Sequence, residues 1–455
     1  MKIDINIPST ANYIIDKLYD DGYEGFVVGG CVRDSILGVT PSDWDICTSC
    51  SPQGIINIFK NEFNVIETGL KHGTVTLVDG EDHYEITTYR IDGEYEGSRR
   101  PKQVEFTSSL KEDLARRDFT INAMAYNHRE GLVDYFNGVE DIEKKVIRCV
   151  GVADKRFSED ALRILRAYRF KSKLGFNLNS ELINGVINNY QSLSLISSER
   201  IQSELSKIII NSPYVLCDMY SHGVLQEIIP EFKGLKECTQ ENPYHYTDVF
   251  KHTVDAMSGA SNNLAVRLAL LLHDIGKPSC KTIDENGVAH FYRHSEVSCS
   301  IAEGILKGLK YDNKTINKVL TLIKYHDCEL TSTRSIKRML NRIGLDNLED
   351  LLEVKLGDAM GQSELYREDK IKGIQEVKSQ IHAILETKQC FTVKDLDIKG
   401  NDLITLGVKQ GRDIGIVLNK LLDMVIEDRV DNKKEELISI INKGELNLNK
   451  NDIIL

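Results

Sequence analysis

Proline is scarce in this chain, tryptophan nearly absent, and no long apolar run occurs anywhere in its 455 residues. With 8 Pro and 32 Gly, neither a collagen-like repeat nor an extended low-complexity tract can be built. The most apolar stretch, 264–272, is cut by Arg267 and ends at His273-Asp274, far short of the ~20 residues that a membrane span needs. Residues 1–10 hold no basic stretch followed by an apolar core, so no secretory signal is visible and a cytoplasmic location is expected. Ten cysteines lack a paired pattern, and only Cys47 and Cys50 have C-x-x-C spacing. Free, half-buried thiols of a reducing compartment are therefore expected, not a disulfide framework. Positive charge is in deficit: 57 Lys and Arg face 69 Asp and Glu, a formal net charge of −12. Nucleic acid would have to be held by local basic patches, because bulk charge repels it.

What is present is an ordinary globular composition, 41% hydrophobic and 28% charged, long enough for about two to four compact units. The first third mixes α and β patterns: a helix over 11–19, a short apolar strand at 25–28, and a helix starting at 32–37. Two β-rich runs, 74–78 and 83–89, flank Asp79-Gly80-Glu81-Asp82, a turn composition that predicts a hairpin. From about 159 the strand signal fades. Helical periodicity covers 159–174, 199–210 and 254–272 and continues nearly to the end, with loops at 242–243 and 284–287. The expected class is α+β, a small mixed sheet with helices followed by an all-helical remainder.

Gly29-Gly30-Cys31-Val32-Arg33-Asp34 falls where a strand ends and a helix begins. Paired glycines let backbone approach an anion, and Arg33 adds a forked cation suited to phosphate oxygens. A tight turn with a solvated arginine fits the same residues. Asp43 and Asp45, spaced i and i+2, would share one face of a strand and could hold divalent ions; a loop with two solvated aspartates fits too. Glu85 is a candidate third carboxylate, although a hairpin surface glutamate would read alike. Over 159–174, Ala161, Ile164, Leu165 and Tyr168 fall on one side and should pack. Asp160, Arg163, Arg166 and Arg169 fan over the other. Residues 144–173 hold ten Lys or Arg against three Asp or Glu, which favours an anionic ligand over a merely solvated face.

These motifs together closely resemble the class II tRNA nucleotidyltransferases, the family of CCA-adding enzymes and bacterial poly(A) polymerases. The resemblance rests on G-G-x-V-R-D at 29–34, D-x-D at 43–45, Arg116-Arg117-Asp118-Phe119-Thr120-Ile121-Asn122-Ala123, the stretch 159–170 and Ser198-Glu199-Arg200-Ile201. It implies a nucleotidyltransferase head at 1–150 and a helical neck and body at 151–240. The implied activity is addition of C, C and A from CTP and ATP to a tRNA 3′ end, with Mg²⁺ held by Asp43 and Asp45, and Glu85 completing the catalytic carboxylates. Nucleotide contacts would come from Gly29, Gly30, Arg33, Asp34, Arg116, Arg117, Asp118, Asn122, Glu159, Asp160, Arg163, Arg166 and Arg169. Within that set Asp160 and Arg163 would pair with the incoming base, since a carboxylate and a guanidinium complement the amino donor and ring-nitrogen acceptor shared by cytosine and adenine. Glu159 would hold Arg163. The polar segment 93–101 matches the flexible loop of A-adding members. A poly(A) polymerase or an A-adding partner is the alternative reading; neither DNA nor a membrane is an expected partner.

A second chemistry is legible in the order His252, His273-Asp274, Asp358. Leu271-Leu272-His273-Asp274-Ile275-Gly276-Lys277-Pro278 resembles the HD-domain metal phosphohydrolases. That resemblance implies an HD domain over 241–375 whose imidazoles and carboxylates hold a transition metal such as Ni²⁺, Mn²⁺ or Co²⁺, with His294 and His326 available to a second ion. A hydrolase whose transferase head only positions RNA is the reading from another class. Residues 376–455 form a helical tail in which no catalytic constellation is visible, and packing or RNA contact is its expected role.

Overall fold

The computed structural model describes residues 3–67, 69–93, 95–96, 100–101, 104–241 and 247–446. The chain divides into two compact units, residues 1–233 with 308–310, and 234–307 with 311–455. In the first, seven strands form one sheet in the order Gly131–Val133, Ala125–Asn127, Gly25–Val28, Ile46–Thr48, Asp82–Thr88, Thr74–Asp79, Asn64–Ile66. The pair Ile46–Thr48 and Asp82–Thr88 is parallel and every other neighbour antiparallel. The predicted hairpin is present, as Thr74–Asp79 against Asp82–Thr88. In the parallel pair Ile46 lies beside Ile86, and both are fully buried. Side chains alternate along a strand, so the preceding residues, Asp45 and Glu85, emerge together on the opposite face. The helix Ser9–Asp20 covers the sheet with Ala11, Ile14, Ile15 and Leu18, the i, i+3, i+4, i+7 spacing of an apolar stripe.

Asp43 and Asp45 precede the strand instead of lying on it. The strand is only Ile46–Thr48, although the Asp45 carbonyl already accepts from the amide of Val28 at 2.9 Å. The helix expected over 159–174 is two helices, Ala153–Glu159 and Leu162–Leu174. Asp160 breaks it: its backbone is extended (φ −141°, ψ 102°) and its carboxylate accepts from the amide of Leu162 at 3.1 Å. A short side chain that bonds nearby backbone starts helices more readily than it continues them. The packing side is as expected, with Ala161, Ile164, Leu165 and Tyr168 wholly buried.

In the second unit the stretch 254–272 likewise divides, into Val249–Ser258 and Leu264–Leu272. Asn263 restarts the helix by accepting from the amides of Ala265 and Val266. These helices pack with Asn313–Tyr325 and Leu345–Met360. The predicted loop at 284–287 is the turn of a short hairpin, Thr282–Ile283 with Ala289–His290; residues 242–243 lie outside the described residues. Tyr95–Glu96 pairs with Arg100–Pro101, while the rest of the expected loop, residues 94 and 97–99, also lies outside them. The tail builds its own buried cluster, including Leu396, Leu403, Val417, Leu421 and Leu437. All ten cysteines are free, six of them buried. Among the described residues no helix is long and apolar enough to cross a membrane.

Gly29 caps the first strand with φ +84°, ψ −124°. A Cβ there would lie 3.1 Å from a guanidinium nitrogen of Arg117. Gly29→Ala should therefore lower stability by about 1–3 kcal/mol, the usual cost of a non-glycine residue in such backbone. Urea denaturation of the variant beside wild type measures it.

Candidate active site

The turn Gly29–Asp34 feeds a buried polar chain. Arg33 is 3% exposed; its Nε donates to Asp34 Oδ1 at 2.8 Å, and another of its guanidinium nitrogens donates to the Asn122 side-chain oxygen. Asn122 Nδ2 in turn donates to Asp118 Oδ1 at 3.2 Å. The other Asp118 oxygen accepts from Arg166 Nε at 2.7 Å. Burial raises the carboxyl, but Arg166, Arg163 and the Asn122 bond outweigh it and hold Asp118 at about 2. Arg33, Arg166 and Arg169 gather round the Phe170 ring at 5.0, 5.7 and 4.2 Å from its centroid. Arg33 thus turns its fork inward, and Arg169 Nε pairs with Glu204 Oε2 at 2.6 Å.

Beside the turn, Asp43, Asp45 and Glu85 all reach solvent. Desolvation, followed by repulsion from Asp43 and Glu85, raises Asp45 to about 6, with Arg117 opposing. Carboxylates that disturb one another in this way are stabilised by a cation between them, so the trio fits Mg²⁺ in donor type and in charge. Arg116 and Arg117 both pair with the buried Asp113, at 2.7 and 3.3 Å.

Glu159 Oε2 accepts from Arg163 at 2.7 Å. A second nitrogen of Arg163 donates to the carbonyl of Arg116 at 3.0 Å. Asp160 is held from another helix, by Arg200 at 2.9 Å. The charged side of this stretch is therefore a set of paired charges, each guanidinium fixed in direction.

In the second unit four histidines share one geometry. Nδ1 of His252, His273, His294 and His326 faces a backbone carbonyl, of Gly361, Leu270, Phe291 and Ile323, at 3.0, 2.7, 2.9 and 2.7 Å respectively. Donation from Nδ1 leaves Nε2 as the ligating nitrogen. His252 Nε2 lies 3.0 Å from Asp358 and His273 Nε2 3.2 Å from Asp274 Oδ2. His294 Nε2 lies 3.4 Å from Asp274 Oδ1 and 3.0 Å from Asp327. Three overlapping groups result: His252, His273 and Asp358; His273, Asp274 and His326; and His294, His326 and Asp327. Burial opposes protonation of His273, but Asp274 and Asp358 outweigh it and raise the imidazole to about 10. The carboxylates thus demand positive charge at Nε2, from a proton or a metal. His273 Nε2 is buried without an aligned hydrogen-bond partner, a state compatible with a metal ligand, while Asp274 Oδ2 is met by Lys277 Nζ at 2.7 Å. The cluster opens into a cavity of about 630 Å³.

The chain is similar to known proteins along nearly its whole length. Residues 25–148 match the poly A polymerase head domain, 175–235 the RNA- and SrmB-binding site of polymerase A, and 284–441 tRNA nucleotidyltransferase domain 2. A CCA-adding enzyme of Lactobacillus delbrueckii subsp. bulgaricus is 33% identical over 433 residues, 94% of this chain and 96% of that protein. The chain belongs to the CCA-adding enzymes. Another member, from Lactobacillus johnsonii, is 32% identical over 97% of this chain and 99% of its own length. Among solved structures, the Bacillus stearothermophilus CCA-adding enzyme in complex with CTP superimposes with a TM-score of 0.71 at 27% identity, covering 96% of this chain and 98% of that one. The Thermotoga maritima CCA-adding enzyme complexed with tRNA shares the fold, with a TM-score of 0.62 at 21% identity over 97% and 96% of the two chains.

In this CCA-adding enzyme family member, a tRNA nucleotidyltransferase, two residues at the sites escaped sequence reasoning. Asp327 stands with His294 and His326; the signal was a second His-Asp pair, His326-Asp327, repeating His273-Asp274. Arg200 fixes Asp160 from across the neck, a pairing that no local spacing encodes.

Asp118 supplies a pH test. Its folded value of about 2 lies below the ordinary 3.8, so its contribution is complete above pH ~4 and is lost as pH falls toward ~2, about 2 kcal/mol in all. Asp118→Asn should be destabilised by at least that much at pH 7, the gap to wild type narrowing between pH 4 and 2. Urea titrations across that range provide the check.

Proposed function

We propose that this enzyme adds CCA, from CTP and ATP, to the 3′ end of tRNA without a nucleic-acid template, and that its histidine cluster is an HD-type phosphohydrolase site. The observation that carries the first part is the placement of Asp45 and Glu85 side by side on one sheet face, with Asp43 coupled to them, in a chain matched over nearly its whole length by proteins named CCA-adding enzymes. Asp43 and Asp45, supported by Glu85, would hold Mg²⁺. When bound, such ions lower the pKa of the attacking hydroxyl and neutralise charge on the phosphates. The terminal ribose oxygen bonds to the α-phosphorus, the bond from that phosphorus to the bridging oxygen breaks, and pyrophosphate leaves while the hydroxyl proton is released. Gly29 and Gly30 would let the triphosphate approach the backbone. The chain from Asp34 and Arg33 through Asn122 and Asp118 would hold Arg166 beside it, with Arg116, Arg117 and Arg169 adding positive charge. Asp160 and Arg163, fixed by Arg200 and Glu159, would read the base edge. Uracil and guanine would set a carbonyl against the carboxylate and leave buried groups unpaired.

For the second site, His252, His273, Asp274 and Asp358 would hold one transition-metal ion (Ni²⁺, Mn²⁺ or Co²⁺), and His294 with His326 a second, Asp327 assisting. The suggested substrates are a 2′,3′-cyclic phosphate or 3′-phosphate on damaged RNA, whose removal restores the hydroxyl that the transferase must extend. Water oxygen bonds to phosphorus, a ribose P–O bond breaks, and the ribose oxygen takes the proton. We further propose domain limits of 1–150, 151–240, 241–375 and 376–455, and a cytoplasmic location.

The deciding assay offers each NTP, alone and in pairs, to the protein with tRNA ending before CCA. Ordered gain of C, C and A is expected, whereas growing A tails would favour the poly(A) reading. Asp43→Ala and Asp45→Ala should abolish incorporation while leaving tRNA binding and folding nearly intact; near-normal turnover with Mg²⁺ would remove the metal assignment. His273→Ala with Asp274→Ala should eliminate ester hydrolysis and bound transition metal yet leave CCA addition near wild-type rate, as elemental analysis and the two activity assays would register.

A further inference from the structure

Beside the histidine cluster stands an aromatic pair that neither proposed reaction uses. Tyr292 is 71% exposed, and its ring lies parallel to that of His290, with centroids 5.4 Å apart and planes within 5°. His290 is itself braced, its Nε2 lying 3.0 Å from Asp284 Oδ2. Asp284 Oδ1 accepts from the amides of Asn286 and Val288, both at 2.9 Å, so the hairpin braces the His290 ring, and the Tyr292 hydroxyl lies 3.5 Å from His290 Nδ1. Tyr292 and Arg293 line the same cavity as Asp274, His326 and Asp358. The connection is direct: Arg293 takes the left-handed conformation, φ +62°, and His294 follows with its Nδ1 on the carbonyl of Phe291.

An exposed ring stacked on a braced imidazole presents an aromatic face in a cavity that Phe291 and Ala289 also line beside the charged groups. A phosphate needs no such face. The cavity volume of about 630 Å³ also falls in the range of sites for whole small molecules, about 300–1,000 Å³. Nucleobases bind exposed aromatic rings by stacking, which tolerates any base because each has a π-face.

We propose that the His290–Tyr292 pair is a stacking platform for the nucleobase of a nucleoside phosphate whose phosphate lies over the histidine–aspartate cluster. Tyr292 is then a specificity-determining residue, selecting nucleoside esters over simple phosphate esters. The inference rests on the hydrolase reading of the cluster. The shared chemistry of the ligand is a nucleoside 2′,3′-cyclic phosphate, free or at the end of an RNA.

The test uses the full chain loaded with Mn²⁺ or Ni²⁺ and three esters: adenosine 2′,3′-cyclic phosphate, a short oligoribonucleotide ending in the same group, and glycerol 1,2-cyclic phosphate, which has no base. Tyr292→Ala should raise KM for the adenosine ester about tenfold, the order expected for one lost stacking contact, and leave KM for the glycerol ester unchanged. Of the two nucleoside esters, the one more affected identifies the source. Tyr292→Trp should restore the wild-type KM, and its fluorescence should be quenched by adenosine 3′-monophosphate; the natural chain holds a single tryptophan, Trp44, so the signal is assignable by difference. Equal shifts for the adenosine and glycerol esters, or no shift for either, overturn the platform. Wild-type protein that hydrolyses none of the three overturns the hydrolase reading instead, and the platform is then decided by the quenching alone, its absence at millimolar nucleotide being fatal.

Discussion

A carboxylate taken out of water survives only where donors and cations replace its hydration, since the desolvation of a lone buried charge costs several kcal/mol. Asp118 is 7% exposed and meets that condition through Phe119, Asn122 and Arg166. Each of those partners ties down a different piece of chain. Asn122 reaches Arg33 and hence the turn after the first strand. Arg166 belongs to the helix Leu162–Leu174, which also carries Arg163. The Asp118 charge therefore joins the strand-to-helix turn to the neck helix, and the carboxylates beside that turn keep a defined relation to the residues proposed to read the base. Replacing the ion pair by apolar groups could preserve stability, but it would free the direction of Arg166.

The two acidic clusters of the molecule are opposites in electrostatic design. Asp45 is raised by desolvation and then by the neighbouring carboxylates Asp43 and Glu85. Asp274 and Asp358 are held well below the usual carboxylate range although burial alone would raise them, because imidazoles, and for Asp274 also Lys277, stand against them. In the first arrangement Arg117 only partly offsets the crowding, which leaves room for a cation. The second is prearranged down to the tautomer, each imidazole oriented by a carbonyl of its own backbone or of a neighbouring turn.

Family and fold class were legible in the amino-acid order, and the residues proposed for both sites were chosen from it, because glycine pairs, D-x-D and His-Asp are local signatures and apolar periodicity is local too. The packing face of 161–168 was legible for the same reason. Local reasoning failed where a side chain competes with its own backbone: at Asp160 and at Asn263, where periodicity runs on across a capped break. Nor did it foresee that Arg163, Arg166 and Arg169 are all paired within the protein, since partners dozens of residues away have no spacing to betray them.

What the sequence by itself determined is therefore the chemistry available: which carboxylates, imidazoles and guanidiniums exist, and that they sit in an α+β head followed by helices. Only the tertiary structure decided what each of them faces. Asp45 meets Glu85 because two strands pair in parallel at Ile46 and Ile86; Asp327 joins His294, and Arg200 holds Asp160, because helices distant in the chain pack together. Direction and protonation follow from neighbours in space, and neighbours in space are set by the burial of apolar faces, which fixes the register between elements that the chain order leaves open.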